Sequence, residues 1–231
     1  EDIQKFYYAY KNNMGQYPVV VLLLLETGLR AGEFAPLRND NIDLENNKIY
    51  IVETRSLRFK DNDKNKGIEY YTKVPKNKET RFIMMSDLCR KCVLYMMEQT
   101  RLKCRNNPDN LLYPTFINGK RRSNSSMEVC FKELCNKLEI DRDIHLTQSG
   151  QQKGLCLHSL RHTADTMANT AKNANVVNTA LKMGHKAISV ENVYTHATEE
   201  GLSSVMTPSQ AVLDEYKTDA VNIANDDELY K

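Results

Sequence analysis

The sequence predicts a mainly α-helical (α+β) protein with one small antiparallel sheet early in the chain. Three observations carry this. Apolar residues recur at helical spacing through most of the chain, as in Leu88, Cys92, Tyr95 and Met96 and again in Leu160, Ala164, Met167, Ala168 and Ala171. Between residues 41 and 84 the pattern changes to short alternating runs separated by turn residues such as Asn46-Asn47 and Pro75-Lys76-Asn77-Lys78. At 231 residues, 41% hydrophobic and 27% charged, the chain has the composition of a soluble globular protein of one large or two small domains.

Taken in order, Ile3, Phe6, Tyr7 and Tyr10 place a helix over residues 2–12. Pro18 suits a first turn, and residues 19–25 are apolar on every side, so the helix they form is buried and Gly28 ends it. Residues 31–37 read as a short helix bearing Glu33. Residues 41–44 and 48–52 form a hairpin about Asn46-Asn47. Residues 55–67 are polar and poor in apolar side chains, which predicts a mobile loop. Two further strands follow at 68–74 and 80–84. Ser86-Asp87 opens a helix, and Met127, Phe131 and Leu134 mark another over 123–138. Residues 141–154 are a polar connection. Helices follow at 158–172 and at 175–183, the latter closed by Gly184. Residues 189–197 and 200–216 read as helices separated by a hinge near Gly201, and the end of the chain is acidic.

Composition excludes several classes. No apolar run approaches the ~18 residues of a membrane span, there is no internal period, and no signal peptide opens the chain. The chain starts at Glu1 rather than Met, so N-terminal material is expected to be missing. Cys89, Cys92, Cys104, Cys130, Cys135 and Cys156 have no framework spacing, and Cys89-x-x-Cys92 has no matching second pair. Reduced thiols on packed helices, in an intracellular protein, are expected.

Lys plus Arg is 32 against 30 for Asp plus Glu, but residues 199–231 hold eight acids and two bases. Two blocks are densely basic: residues 54–81 contain nine Lys/Arg against four acids, and residues 101–122 contain six against one. Such clusters suit a polyphosphate partner, because each neutralised phosphate releases condensed counterions, although a solvated basic face has the same composition.

Three strings carry chemistry: Thr27-Gly28-Leu29-Arg30-Ala31-Gly32-Glu33, His158-Ser159-Leu160-Arg161-His162-Thr163, and Met183-Gly184-His185 followed by Tyr194. Arg30 lies just after a buried helix, where a cation is costly without a partner. His158 and Arg161 are three apart on one helix. Two guanidinium forks and two imidazoles could surround a tetrahedral anion, which Arg serves better than Lys because its planar fork donates two parallel hydrogen bonds. A phenol attacking phosphorus there would need its developing charge stabilised. Each piece alone also fits a cap, a salt bridge or a packed tyrosine. His158 and His162 are spaced for zinc, but position 159 is Ser rather than the Glu of the zincin pattern.

Together, in this order and spacing, the strings resemble the tyrosine recombinases, the integrases of phages and conjugative transposons, over that family's C-terminal catalytic domain. The resemblance implies the tyrosine-recombinase catalytic-domain fold, a helical bundle with a small three-stranded antiparallel sheet. It spans residues 1–216, with 217–231 as an acidic flexible tail and with the family's core-binding and arm-binding domains absent from this chain. It assigns Arg30, Lys76, His158, Arg161, His185 and Tyr194 as catalytic and Glu33 as supporting. Lys76 is placed by a segment that resembles the family's β-hairpin, and Lys73 and Lys78 are neighbouring candidates. The implied activity is metal- and ATP-independent strand exchange through a 3′-phosphotyrosyl intermediate and a Holliday junction, for integration or excision of a mobile element, with no cofactor. The implied partners are double-stranded DNA and a homo-tetramer assembled on it from monomers. Residues 200–216 are expected either to pack on a neighbouring protomer or to fold back. A bacterial cytoplasmic, nucleoid-associated setting follows. A type IB topoisomerase, which shares the residue set, and a non-catalytic DNA-binding protein of the same fold are the alternatives.

Overall fold

In a computed structural model of the chain, the structure describes residues 2–62, 64–73, 81–143, 145–146, 152–171, 174–184, 199–205 and 207–209. The centre is α2 (Gln16–Thr27), in which every residue from Pro18 to Thr27 is buried. That follows from a sequence with no polar stripe, because a helix apolar all round needs neighbours on every side. The neighbours are α1 (Asp2–Lys11), α4 (Asp87–Lys103), α5 (Asn124–Lys137) and α6 (Leu157–Thr170). α4 and α5 start where the N-caps Ser86 and Ser123 accept the N–H groups of Cys89 and Ser126. Cys89 and Cys92 are buried and their thiols are pushed well up by desolvation, so they pack as apolar groups.

The three-stranded antiparallel sheet has the order β1 (Ile42–Asp43), β2 (Lys48–Ile51), β5 (Arg81–Met84). Ile49 and Ile51 on β2 face Ile83 and Arg81 on β5, and the three isoleucines are buried in the core.

Three expectations about strands and loops are corrected. Residues 55–59 are not loop: β3 (Thr54–Phe59) pairs with β4 (Ile68–Lys73) as a two-stranded ribbon. Its strands are held by cross-strand pairs that composition hides. The Arg55 guanidinium lies 4.2 Å over the Tyr70 ring, Arg58 lies 5.1 Å over Tyr71, and Arg58 bonds Glu69. Second, β4 and β5 do not pair as a hairpin, since β4 pairs with β3 and β5 with β2. Residues 74–80 between them lie outside the described residues. Third, the polar connection at 141–154 contains a short pair, β6 (His145–Leu146) with β7 (Gln152–Lys153).

The helices at 158–172 and 175–183 are present as α6 and as α7 (Val176–Met183), which Asn175 caps at its start and left-handed Gly184 ends. The expected helix at 189–197 lies outside the described residues. Gly201 is inside α8 (Glu199–Ser203), and the helix expected over 200–216 is interrupted after Ser203; the junction with the expected helix before it lies outside the described residues. This C-terminal segment lies on its own domain as far as residue 209. Leu202 and Val205 are buried, Lys48 pairs with Glu199 at 2.6 Å, and Ser209 bonds Glu26. Residues 210–231, including the rest of the stretch expected to reach a neighbouring protomer, lie outside the described residues.

Glu26, 2% exposed, is the most heavily bonded buried carboxylate outside the candidate site among the described residues. It accepts the Tyr7 hydroxyl at 3.1 Å, the Ser86 hydroxyl, the Ser209 N–H at 2.9 Å and the Ser209 hydroxyl at 2.8 Å. The buried Lys182 ammonium, whose pKa burial lowers, feels its charge. Removing the carboxylate strands four donor groups and a cation, so Glu26→Ala should lower unfolding stability by about 3 kcal/mol. Urea denaturation measures this, and a loss below about 1 kcal/mol would mean that water satisfies the donors.

Candidate active site

Gly28, left-handed at φ 64°, turns the chain out of α2. The left-handed turn requires glycine, and a Cβ there would also lie 2.4 Å from the sulfur of Met183, whose flexible end would have to move. Leu29 is buried beside it, and Arg30 emerges at the start of α3 (Ala31–Phe34). The short helix turns Glu33 back onto Arg30. The carboxylate, 4% exposed, accepts the Arg30 N–H at 3.0 Å and its Nη1 at 3.2 Å. It also accepts a fork from Arg81 of β5, at 3.0 Å to each oxygen. Four donors fill a carboxylate's acceptor sites. Burial works against the charge of Glu33, but the Arg81 and Arg30 bonds outweigh it and hold its pKa below the ordinary carboxylate value.

Arg161 reaches the same place from α6. It is 3% exposed and donates from Nη1 to the Gly28 carbonyl at 2.6 Å and from Nη2 to the Met183 carbonyl. Burial, with Arg30 and Arg81 nearby, pulls its pKa down to about 10, and Glu33 opposes that. Arg30 and Arg81 bond Glu33, and Arg161 feels the charges of Glu33 and Asp165, so three guanidiniums outnumber two carboxylates. Arg30 is the outlet, with 42% of its side chain exposed.

His158 stands at the rim on α6, edge-on to His162 at 4.5 Å between ring centres. Partial burial lowers its pKa, and His162, Arg161 and Arg30 lower it further. It is therefore neutral near pH 7 and has a nitrogen lone pair able to take a proton.

The structure thus brings together Arg30, Glu33, His158 and Arg161. Lys76, His185 and Tyr194 lie outside the described residues. Among the described residues, no group of three or more His, Cys, Asp or Glu is placed to hold a metal ion, and no helix is long and apolar enough to cross a membrane.

Sequence reasoning missed Arg81. The signal was present: Ile49, Ile51 and Ile83 alternate on the buried face of the sheet, and Arg81 falls in phase with Ile83. A cation on an inward-facing position demands a partner.

The family described as the phage integrase family matches residues 1–200. The tyrosine recombinase XerA of Saccharolobus solfataricus is 27% identical over 202 residues, covering 87% of this chain and 52% of that protein. The transposase from transposon Tn916 of Enterococcus faecalis is 29% identical over 195 residues, covering 80% of this chain and 44% of its own length. This chain thus spans about half the length of these relatives. Of solved structures, the Tn1549 transposon integrase in complex with transposon right end DNA aligns with a TM-score of 0.60 at 22% identity, over 91% of this chain and 62% of that one. The crystal structure of XerA recombinase aligns with a TM-score of 0.55 at 18% identity, over 93% and 63%. At those identities the structural likeness shows the fold. With the sequence match running through residues 1–200, the chain belongs to the phage integrase family.

Proposed function

We propose that residues 1–216 are the catalytic domain of a site-specific DNA recombinase that cleaves and rejoins DNA without metal or ATP. The observation that carries this reading is the pair Arg30 and Arg161 held side by side, next to a carboxylate, Glu33, that the Arg81 fork already satisfies. A half-buried surplus of guanidinium is stabilised by a bound anion, and the family match makes a DNA phosphodiester the natural one.

In this reading the phenol oxygen of Tyr194 attacks the scissile phosphorus and forms a 3′-phosphotyrosyl ester while the bond to the 5′-oxygen breaks. His158 takes or shares the phenolic proton, and its neutral form suits that task. Lys76 gives a proton to the departing 5′-oxygen. Arg30 and Arg161 neutralise the charge that gathers on the non-bridging oxygens, with His185 as a further donor. Glu33 orients Arg30 and does not react. Because the ester keeps the phosphodiester's bond energy, the 5′-hydroxyl of a partner strand can reverse the step. Two such exchanges pass through a Holliday junction on a tetramer. The relatives named for transposons support insertion or excision of a mobile element as the setting.

The test is a duplex bearing the recombination site and nicked close to the scissile phosphate, so that the released fragment diffuses away and the covalent complex accumulates. We expect a denaturation-resistant adduct that forms at an unchanged rate in excess EDTA. Failure to form an adduct would refute the recombinase reading, and loss of it in EDTA would show that a metal takes part. Plasmid relaxation without strand exchange would point to a topoisomerase.

A further inference from the structure

We infer that Arg81 is a positioning residue for DNA cleavage: its guanidinium ties the Arg30–Glu33 corner to the end of α7 and sets the spacing of the phosphate site. The inference rests on the recombinase reading above. Nothing in that mechanism uses Arg81, yet its donors are spent on two segments that both lead into the site. Nη1 and Nη2 fork onto Glu33 at 3.0 Å each, and Nε donates to the Lys182 carbonyl at 3.2 Å. Glu33 in turn holds Arg30, and Lys182 lies in the last turn of α7, three residues before His185.

Arg81 therefore joins α3, β5 and α7 in one rigid triangle. Its side chain is only 16% exposed, so water does not compete well for these bonds. Gly184 completes the fit: a Cβ at this left-handed residue would lie 2.8 Å from the Arg81 Cζ. The guanidinium thus lies directly against Gly184. Arg161 bridges the same two regions from the other side, from the Gly28 carbonyl to the Met183 carbonyl. Two arginines brace the gap, and Arg81 is the one whose fork a carboxylate consumes.

The charged groups that face Glu33 are Arg30 from its own segment, Arg81 from β5 and Arg161 from α6. Removing Arg81 takes away the largest influence that keeps Glu33 ionised. Its carboxyl then protonates at a higher pH, and Arg30 loses its orienting partner there.

The experiment measures single-turnover cleavage of the nicked duplex against pH, together with DNA affinity and the thermal midpoint, in the whole polypeptide. For Arg81→Gln we expect cleavage slowed about 10- to 100-fold, DNA affinity within about twofold, and the acidic limb of the rate profile moved to higher pH. Arg81→Lys should return the acidic limb towards that of the parent but leave the rate at least about tenfold down, because a point charge cannot replace the fork. Parental rates and an unmoved acidic limb in Arg81→Gln would overturn the inference, as would a full recovery of rate in Arg81→Lys. A loss of cleavage that vanishes at temperatures where the variants are fully folded would reduce Arg81 to a stability role and overturn it too. Absence of an adduct in the parent protein would instead defeat the recombinase reading itself.

Discussion

Tyr194→Phe is expected to form no covalent DNA adduct at all while binding the same duplex within about twofold of the parent affinity. The asymmetry follows from chemistry. The substitution removes one oxygen, the atom that would bond to phosphorus, and keeps the aromatic ring. Nucleophile removal leaves no alternative route to a covalent ester, whereas removal of a general acid or a charge slows the step without closing it. DNA affinity comes mainly from cationic contacts to many phosphates, which a neutral phenol does not supply at pH 7. Electrophoretic mobility shift and denaturing-gel adduct assays on the same samples read both quantities. Undiminished adduct from the Phe variant would remove Tyr194 as the nucleophile.

Arg161→Lys is expected to slow cleavage by about 10²- to 10³-fold, the range for losing one preorganised charge-stabilising donor set. The charge is conserved, so the loss isolates geometry. Arg161 uses Nη1 and Nη2 on two backbone carbonyls, which fixes the plane of its guanidinium between α2 and α7. Its other N–H bonds are thereby aimed rather than free to turn. A lysine has one rotatable ammonium and cannot hold both carbonyls and a phosphate oxygen in that plane. Stability should fall as well, because at least one buried carbonyl loses its donor. The two effects separate in single-turnover cleavage well below the unfolding midpoint. Cleavage there within threefold of the parent would count against Arg161 as a phosphate ligand.

How far the fold and the candidate site could be read in the sequence depended on how local their causes are. The buried helix α2, its glycine stop and the emergence of Arg30 are written in fourteen consecutive residues, Pro18–Ala31, and the structure agrees. The Arg30–Glu33 pair is three residues apart and was equally visible. The ribbon of β3 and β4 was not. Arg55 and Tyr70, or Arg58 and Tyr71, stabilise strands only once paired, and read singly they are the residues of a polar loop. The Glu26 network escaped for the same reason: Ser209, which supplies two of its four donors, is 183 residues away. Arg81 lay between these cases. Its inward phase could be counted from Ile83, but its carboxylate partner lies 48 residues away, on α3.

The most direct measurement is mass spectrometry of the trapped complex after nuclease and protease digestion. If Arg30, Arg161 and the residues carried over from the motifs meet about one phosphodiester, the nucleotide remnant will sit on the peptide containing Tyr194, linked through its phenol oxygen to a 3′-phosphate. A remnant on any other of the twelve tyrosines, or a 5′-phosphate linkage, would contradict that arrangement.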